Sequence, residues 1–541
     1  MSRTGRSVPP ARRSGVARGG GAVRLRSLGL VGVLTIGLSA CGSEPQTPIP
    51  EPSSTVSTTP REVYEQQRVD GVNALFEQLV QALTSGERDD LALLIDPLAT
   101  PEFRERWFQT QRALGPTPVR ASTSSDAPDE PSAGATASGE PVPSTSVSEL
   151  DESTAVEPSA GERGRPGRPG GRTASTPRGV NLVLRTLAYR VARNEGADRT
   201  IGGELGLALD AAKATDRWVS PVTLSFALGG TARPGADEPV IEVPDVLAFA
   251  RYGDRWTLLG DGSVATDPTV DPMDRENSPE LPPWAFEGLL VDDVATAGGS
   301  SSILSYPGAE ATVSMIRRHL APAVKAVSAF WGTEWPRRVV VTATGTDEQF
   351  TAFTRTDPAL IPAAAGAAVY SRIDRGTRTV VGQRVVLAPV AGGLSAAGIG
   401  ILLRHELTHV ATRLMTAENA PMWLTEGVAE YVGRRGTAQD LKDAAPELAA
   451  QVSEGDLPVA LPADTDFTGD PERARAAYQS SWTFARFVAE RFDEDRLRKM
   501  YWEAARADSA RKADLAVEAV LGVKTAELME QWQRWLRKEV R

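Results

Sequence analysis

Two histidines four residues apart, with a glutamate beside the first, form the most reactive grouping in the chain. They lie in the run IGILLRHELTHVATRLM, as His405, Glu406 and His409. The chain holds only three histidines, so two of them share this one stretch. On a helix, positions i and i+4 share a face with Cβ atoms about 6 Å apart. Two imidazoles so placed can converge on one tetrahedral ion. Glu406 projects about 100° round the helix, too far to be a third ligand on that face. It is instead placed to accept a proton from a water that the metal activates. Ile399, Leu402, Leu403, Leu407, Val410 and Leu414 give the same helix an apolar side to bury.

A hydrolytic zinc site needs a third protein ligand and an open fourth position. No histidine follows His409, and the single cysteine, Cys41, lies far upstream. A carboxylate must therefore complete the set. The segment Ala420-Pro421-Met422-Trp423-Leu424-Thr425-Glu426-Gly427-Val428-Ala429-Glu430-Tyr431 offers two, Glu426 and Glu430, on one face of a second helix. Pro421 suits that helix's first turn.

HELTH followed by PMWLTEGVAEY resembles the gluzincin metallopeptidases, specifically the peptidase-MA-like branch related to aminopeptidase N. The resemblance covers about 303–541. It implies that His405, His409 and Glu426 hold zinc and that Glu406 is the catalytic base. Glu430 is then a partner that accepts a hydrogen bond from a ligand imidazole. The resemblance also makes Tyr478, in Ala477-Tyr478-Gln479-Ser480-Ser481-Trp482, the expected donor to the oxyanion, as a residue opening a downstream helix. It implies that the strand Thr379 to Leu387 holds an extended peptide by strand addition. Two departures stand out. Sixteen residues separate His409 from Glu426 where the aminopeptidase pattern has eighteen. The Gly-x-Met-Glu-Asn exopeptidase signature is absent, so endopeptidase action is expected.

These residues need a scaffold. From about 303 the pattern predicts helix 309–330, strands at Arg338 to Thr344, Val369 to Ile373 and Thr379 to Leu387, and a mainly helical half after Leu394. Trp482, Trp502, Trp532 and Trp535 are expected in its core. Upstream, the stripe Val72, Leu75, Phe76, Leu79, Val80 and Leu83 predicts an amphipathic helix that Gly86 stops, and a second helix spans 101–113. Strands follow at Leu182 to Arg193, Trp218 to Leu228 and Val246 to Leu259, with a hairpin signal at Tyr252-Gly253-Asp254-Arg255-Trp256. Helices followed by an antiparallel sheet resemble the cone-like nuclear-transport-factor-two-like class. The fold class expected is therefore α+β. An α+β domain over 61–266, carrying a disordered insertion at 116–178, precedes a linker at 267–302 and a zincin-like metallopeptidase domain at 303–541.

The first 40 residues read as an export signal. Seven arginines and no acid precede the apolar run Leu28 to Leu38, which is too short to span a bilayer. Leu38-Ser39-Ala40-Cys41 resembles a bacterial lipobox, which implies acylation of Cys41. A tether at 41–60, rich in Pro, Ser and Thr, follows. Without residues 1–40 the chain has 52 basic and 70 acidic residues, a formal charge of −18. Such a balance argues against a nucleic-acid partner. The expected protein is a lipid-anchored peptidase on the outer face of a cell membrane, with Zn2+ as cofactor and peptides or proteins of the envelope as substrates. An alternative is a catalytically inactive, peptidase-like binding or scaffold lipoprotein.

Overall fold

The apolar stripe of Val72, Leu75, Phe76, Leu79 and Leu83 becomes the buried side of helix α1 (Pro60–Ser85). This holds in the computed structural model, which describes residues 60–115, 182, 184–192, 201–229, 238–265, 280–355, 365–437, 440–468 and 470–541. The signal at 1–40, Cys41, the tether and the insertion at 116–178 lie outside the described residues, apart from residue 60 at the start of α1. Gly86, at φ 77°, ends α1 in the left-handed region that glycine tolerates. Helices α2 (Arg88–Leu94) and α3 (Pro101–Leu114) follow, the latter opened by Thr100, whose hydroxyl accepts from the Phe103 N–H at 3.2 Å.

These helices pack on an antiparallel sheet with strand order β1-β2-β3-β4. Its strands are β1 (Leu184–Val191), β2 (Asp216–Leu228), β3 (Ile241–Tyr252) and β4 (Arg255–Asp261). The run 246–259 folds back at Gly253 (φ 65°), where the sequence carries its hairpin signal. A short helix α4 (Gly203–Ala211), unforeseen in the sequence, lies between β1 and β2 in the chain. Aromatic rings fill the space between helices and sheet. Phe76 packs edge-on to Phe249 at 5.7 Å and tilted to Tyr189 at 5.6 Å.

The second sheet runs β5-β6-β7-β11-β8. Its hairpin β5 (Leu290–Thr296) and β6 (Gly299–Ser305) falls largely within the stretch expected as a linker, so residues 290–302 are corrected from linker to sheet. A Gly-Ser run has little strand preference of its own. Pairing of β6 with β7 (Val340–Ala343) and burial of Ile303 and Leu304 override that. Strand β6, helix α5 (Glu310–Trp331) and β7 form a parallel crossover unit, and helix α6 (Asp347–Thr354) leads on to β8 (Gly366–Val369).

The stretch 379–387, expected as one strand, is two. Gly382 at φ 67° breaks it. β10 (Thr379–Val381) pairs with β9 (Arg372–Asp374) in a separate ribbon, while β11 (Arg384–Leu387) enters the sheet between β7 and β8. An interior strand has both edges occupied and cannot add a peptide. β8, antiparallel to β11, is the strand left at that edge.

Alternation along the second sheet serves two cores. Ile303, Val341 and Val385 face the helical core, whereas Leu304 and Val340 pack with the first domain. Residues 60–541 accordingly form one compact unit. At the join, buried Arg384 donates through Nε to Glu280 at 2.7 Å, and its Nη2 lies 3.5 Å from Glu238.

The remaining chain is helical: α7 (Ala396–Thr412), α8 (Met422–Arg434), α9 (Leu441–Ala444), α10 (Pro446–Glu454), α11 (Pro471–Phe492), α12 (Glu494–Ala504), α13 (Ala510–Leu521) and α14 (Thr525–Glu539). Leu403, Leu407, Val428, Phe484, Met500 and Trp532 are fully buried among them. Trp482 is buried and Trp535 partly so, but Trp502 is 37% exposed, against expectation, with Arg506 over its ring.

Two glycines set how closely α8 approaches its neighbours. A Cβ on Gly427 would sit 2.5 Å from the Ser481 carbonyl oxygen of α11, and one on Gly433 would sit 3.1 Å from the Ile401 carbonyl oxygen of α7. The obstacle at Gly427 is backbone, so it cannot swing aside. Gly427→Ala is expected to cost about 1–3 kcal/mol through overpacking. Chemical denaturation of wild type and variant measures it.

Candidate metal centre

Ser395 caps α7, its hydroxyl accepting from the Gly398 N–H at 3.1 Å. The buried side of the helix, Ile399, Leu403, Leu407 and Val410, fixes its rotation against the sheet and α5. That rotation turns His405 and His409 towards α8. Helix α8 starts one residue after Pro421, and Asp464 accepts from its first free N–H, that of Met422, at 2.8 Å. Burial of Trp423, Leu424, Val428 and Val432 then leaves Glu426 and Glu430 facing α7.

Three ligand atoms meet. His405 Nε2 lies 3.2 Å from His409 Nε2 and 3.2 Å from Glu426 Oε2, and His409 Nε2 lies 3.4 Å from the same oxygen. Four ligands placed tetrahedrally about 2.0–2.1 Å from a zinc ion stand about 3.3–3.4 Å apart. The triangle therefore fits one zinc-sized ion without rearrangement. Among the described residues these three are the one group able to hold a metal. Behind His405, Glu430 Oε2 sits 3.0 Å from Nδ1, which sets Nε2 as the atom free to bind. Arg434 in turn donates to Glu430 at 2.6 Å and lies over the Trp482 ring at 5.1 Å.

The electrostatics are those of a cation site. Burial alone would raise the Glu426 carboxyl. The charge of His409 and hydrogen bonds from both histidines outweigh it and hold Glu426 well below the carboxylate range. Burial also opposes ionisation of Glu430, yet His405 and Arg434 hold it down at about 2. Burial disfavours a charged His405, but hydrogen bonds to Glu426 and Glu430 and the charge of Glu406 raise it well above its ordinary value. Glu406 is 4% exposed, and burial raises its carboxyl against the pull of His405 and His409. A carboxylate shifted in that direction is a better general base near neutral pH.

A cleft of about 640 Å³ opens over these groups, lined by β8, the β9–β10 ribbon, α7, α8 and α11. Tyr478 lies two turns into α11, not at its start as the sequence suggested, because Pro471 opens the helix. Its ring packs edge-on to Phe467 at 5.2 Å. The charge of Glu426, then burial, raises its phenol, so it stays protonated and can donate. The sequence reading missed two other groups. Tyr501 lines the cleft, but its hydroxyl is engaged by Thr412 (3.0 Å) and Thr416 (2.9 Å). Arg413 lines it too, one turn beyond His409, a spacing visible in the sequence but with no motif to mark it.

Residues 366–538 match the Peptidase MA superfamily. The matched stretch runs from β8 into α14 and contains His405, Glu406, His409, Glu426 and Tyr478, which supports a metallopeptidase of gluzincin type. No curated protein matches the chain. Among solved structures, the chain is similar to the M1 zinc metallopeptidase of Deinococcus radiodurans, at 13% identity and TM-score 0.29 over 66% of this chain and 72% of that one. A point mutant of that enzyme bound to a Tyr-Ser-Ala substrate gives 12% identity and TM-score 0.31 over the same shares.

His409→Ala is expected to abolish stoichiometric zinc, and Glu430→Gln to weaken zinc about 10–100-fold while leaving the three ligand atoms in place. Metal analysis and chelator competition measure both. Because ligation needs both imidazoles unprotonated, and hydrogen bonds to Glu426 and Glu430 favour a charged His405, zinc binding should be coupled to proton release and weaken as pH falls. Calorimetry in buffers of differing ionisation enthalpy counts it.

Proposed function

We propose that the chain is a zinc-dependent peptidase that hydrolyses peptide bonds within envelope proteins. The observation that carries this is the triangle of His405, His409 and Glu426 atoms at 3.2–3.4 Å, with buried Glu406 beside it. These three residues would hold zinc, which when bound supplies a Lewis acid that polarises the scissile carbonyl and makes water acidic enough to react near pH 7.

The chain's own groups account for the proton movements. Glu406 takes a proton from the attacking water as its oxygen bonds to the carbonyl carbon. It returns that proton to the amide nitrogen as the C–N bond breaks. Tyr478 keeps its phenolic proton and donates a hydrogen bond to the oxygen that gains negative charge. The outer edge of β8 supports an extended peptide by strand addition, a role that moves here from the 379–387 stretch. Cleavage within chains rather than at an amino terminus is supported by β8 itself. It reads Gly366-Ala367-Ala368-Val369 and carries no carboxylate to grip a terminal ammonium.

Helices α1–α3 before a meander sheet support the nuclear-transport-factor-two-like reading of the first domain. Its interior is filled by Phe76, Tyr189 and Phe249, which suits a scaffold that backs the peptidase sheet. Attachment to the outer membrane face through acylated Cys41 rests on the export signal and Leu38-Ser39-Ala40-Cys41. No described helix is long and apolar enough to cross a membrane.

Glu406→Gln is expected to keep full zinc and lose about 10²–10⁴ in kcat on an unfolded protein substrate. Tyr478→Phe should lose about 10²–10³ in kcat with little change in KM. Zinc retained with no cleavage by wild type across a broad peptide library would overturn the peptidase reading. Cys41→Ala should move the protein from the membrane fraction into the medium and end its labelling by a clickable fatty acid.

A further inference from the structure

Arg413 follows His409 by four residues and begins the turn Arg413–Met415 that closes α7. Its guanidinium lies over the Tyr370 ring at 4.5 Å. Its Nη2 donates to the Ala368 carbonyl oxygen of β8 at 3.0 Å. The plane is therefore clamped between the end of the metal-bearing helix and the strand edge, on the cleft wall. Its Nε is buried without an acceptor, and no described carboxylate forms an ion pair with it. A half-buried, immobilised cation that lacks a counter-ion costs stability unless something else supplies one.

The rest of that end of the cleft points the same way. Arg375, at the turn of the β9–β10 ribbon, lines the same cleft. The facing acids are Glu418, which is exposed, and Glu406 and Glu426 at the metal triangle, whose charge a divalent ion offsets. Two guanidinium groups then face one solvated acid. A guanidinium fixed by stacking presents paired donors that match the two oxygens of a carboxylate. Four helical residues advance about 6 Å along the axis, and an extended peptide advances about 3.3 Å per residue. Arg413 thus stands one to two substrate residues from the scissile bond.

We propose that Arg413, with the exposed Arg375 lining the same cleft, is the specificity-determining anchor for a substrate carboxylate one or two residues from the cleaved bond. This rests on the peptidase reading above. The carboxylate comes from an acidic side chain or from the substrate's own C-terminus.

The test uses the full, zinc-loaded chain and peptide pairs differing only as Glu/Gln or Asp/Asn, each with a free and an amidated C-terminus. Wild type is expected to show kcat/KM about 10–100-fold higher for the carboxylate member, as a charged hydrogen bond would give. Arg413→Gln should bring that ratio close to one, and Arg413→Lys should restore part of it. A preference that survives amidation assigns the side chain, and one that vanishes assigns the terminus. No preference in wild type, or a ratio unchanged in Arg413→Gln, overturns the anchor while leaving the peptidase reading intact. If Arg413→Gln does not fold, Tyr370→Leu, which removes the stacking surface, is read in the same way. Peptide binding to the zinc-loaded Glu406→Gln protein separates the two readings. Tighter binding of carboxylate peptides that needs Arg413 upholds the anchor even if wild type cleaves nothing, and equal binding of both members refutes it.

Discussion

Two imidazole nitrogens and a carboxylate oxygen from separate helices stand within 3.4 Å of one another. Such a group is favourable only with a proton or a metal ion among its members, because bare lone pairs aimed at one point repel. The surrounding structure can be understood as what forces that meeting. The apolar side of α7 sets the rotation of His405 and His409. Gly427 and Gly433 let α8 approach α11 and α7 more closely than any side chain would permit. The sequence Trp482, Arg434, Glu430, His405 then fixes one imidazole's orientation through successive contacts.

The facing wall of the cleft is built from the second sheet and its ribbon. β8 is an edge strand because β11 fills the interior position. β11 can do so because Gly382 turns the chain out of the β9–β10 ribbon and into the sheet. The first domain backs this sheet through Leu304 and Val340, and Arg384 with Glu238 and Glu280 forms a buried ionic join. The amino-terminal half therefore contributes to the rigidity of the cleft wall without entering the cleft. Ala368 of that edge strand accepts through its carbonyl from Arg413, which ties β8 to the end of α7.

Much of this was legible beforehand. Helical spacing alone put His405 and His409 on one face and Glu406 off it, and a single cysteine removed sulfur as a ligand. Helix stripes and stop signals located α3 and α5 to within a residue or two and the end of α1 at Gly86, because these helices bury one clear side. Segments whose pairing is non-local were harder to read. Residues 290–302 look like a linker because serine and glycine have no strand preference, and they become strands only when β7 supplies a partner. Residues 379–387 look like one strand because nothing local says that its two halves join different sheets. Trp502 has the composition of a core residue, but its position on α12 turns it outward.

The sequence alone determined the chemistry on offer: which side chains could ligate, which could carry a proton, and that the third ligand had to be a carboxylate. Local periodicity suffices for that, since residues four apart on a helix are neighbours wherever the helix sits. The resemblance assigned Glu426 to the ion and Glu430 to a ligand imidazole, but only the tertiary structure set the distances at which Glu426 closes the triangle and Glu430 stands behind His405. The same holds for the choice of β8 as the open edge, and for Arg413 lying against Tyr370 without an acid. These are matters of distance between elements remote in the chain, and such distances are set by how the helices and the sheet pack, which no single stretch of residues encodes.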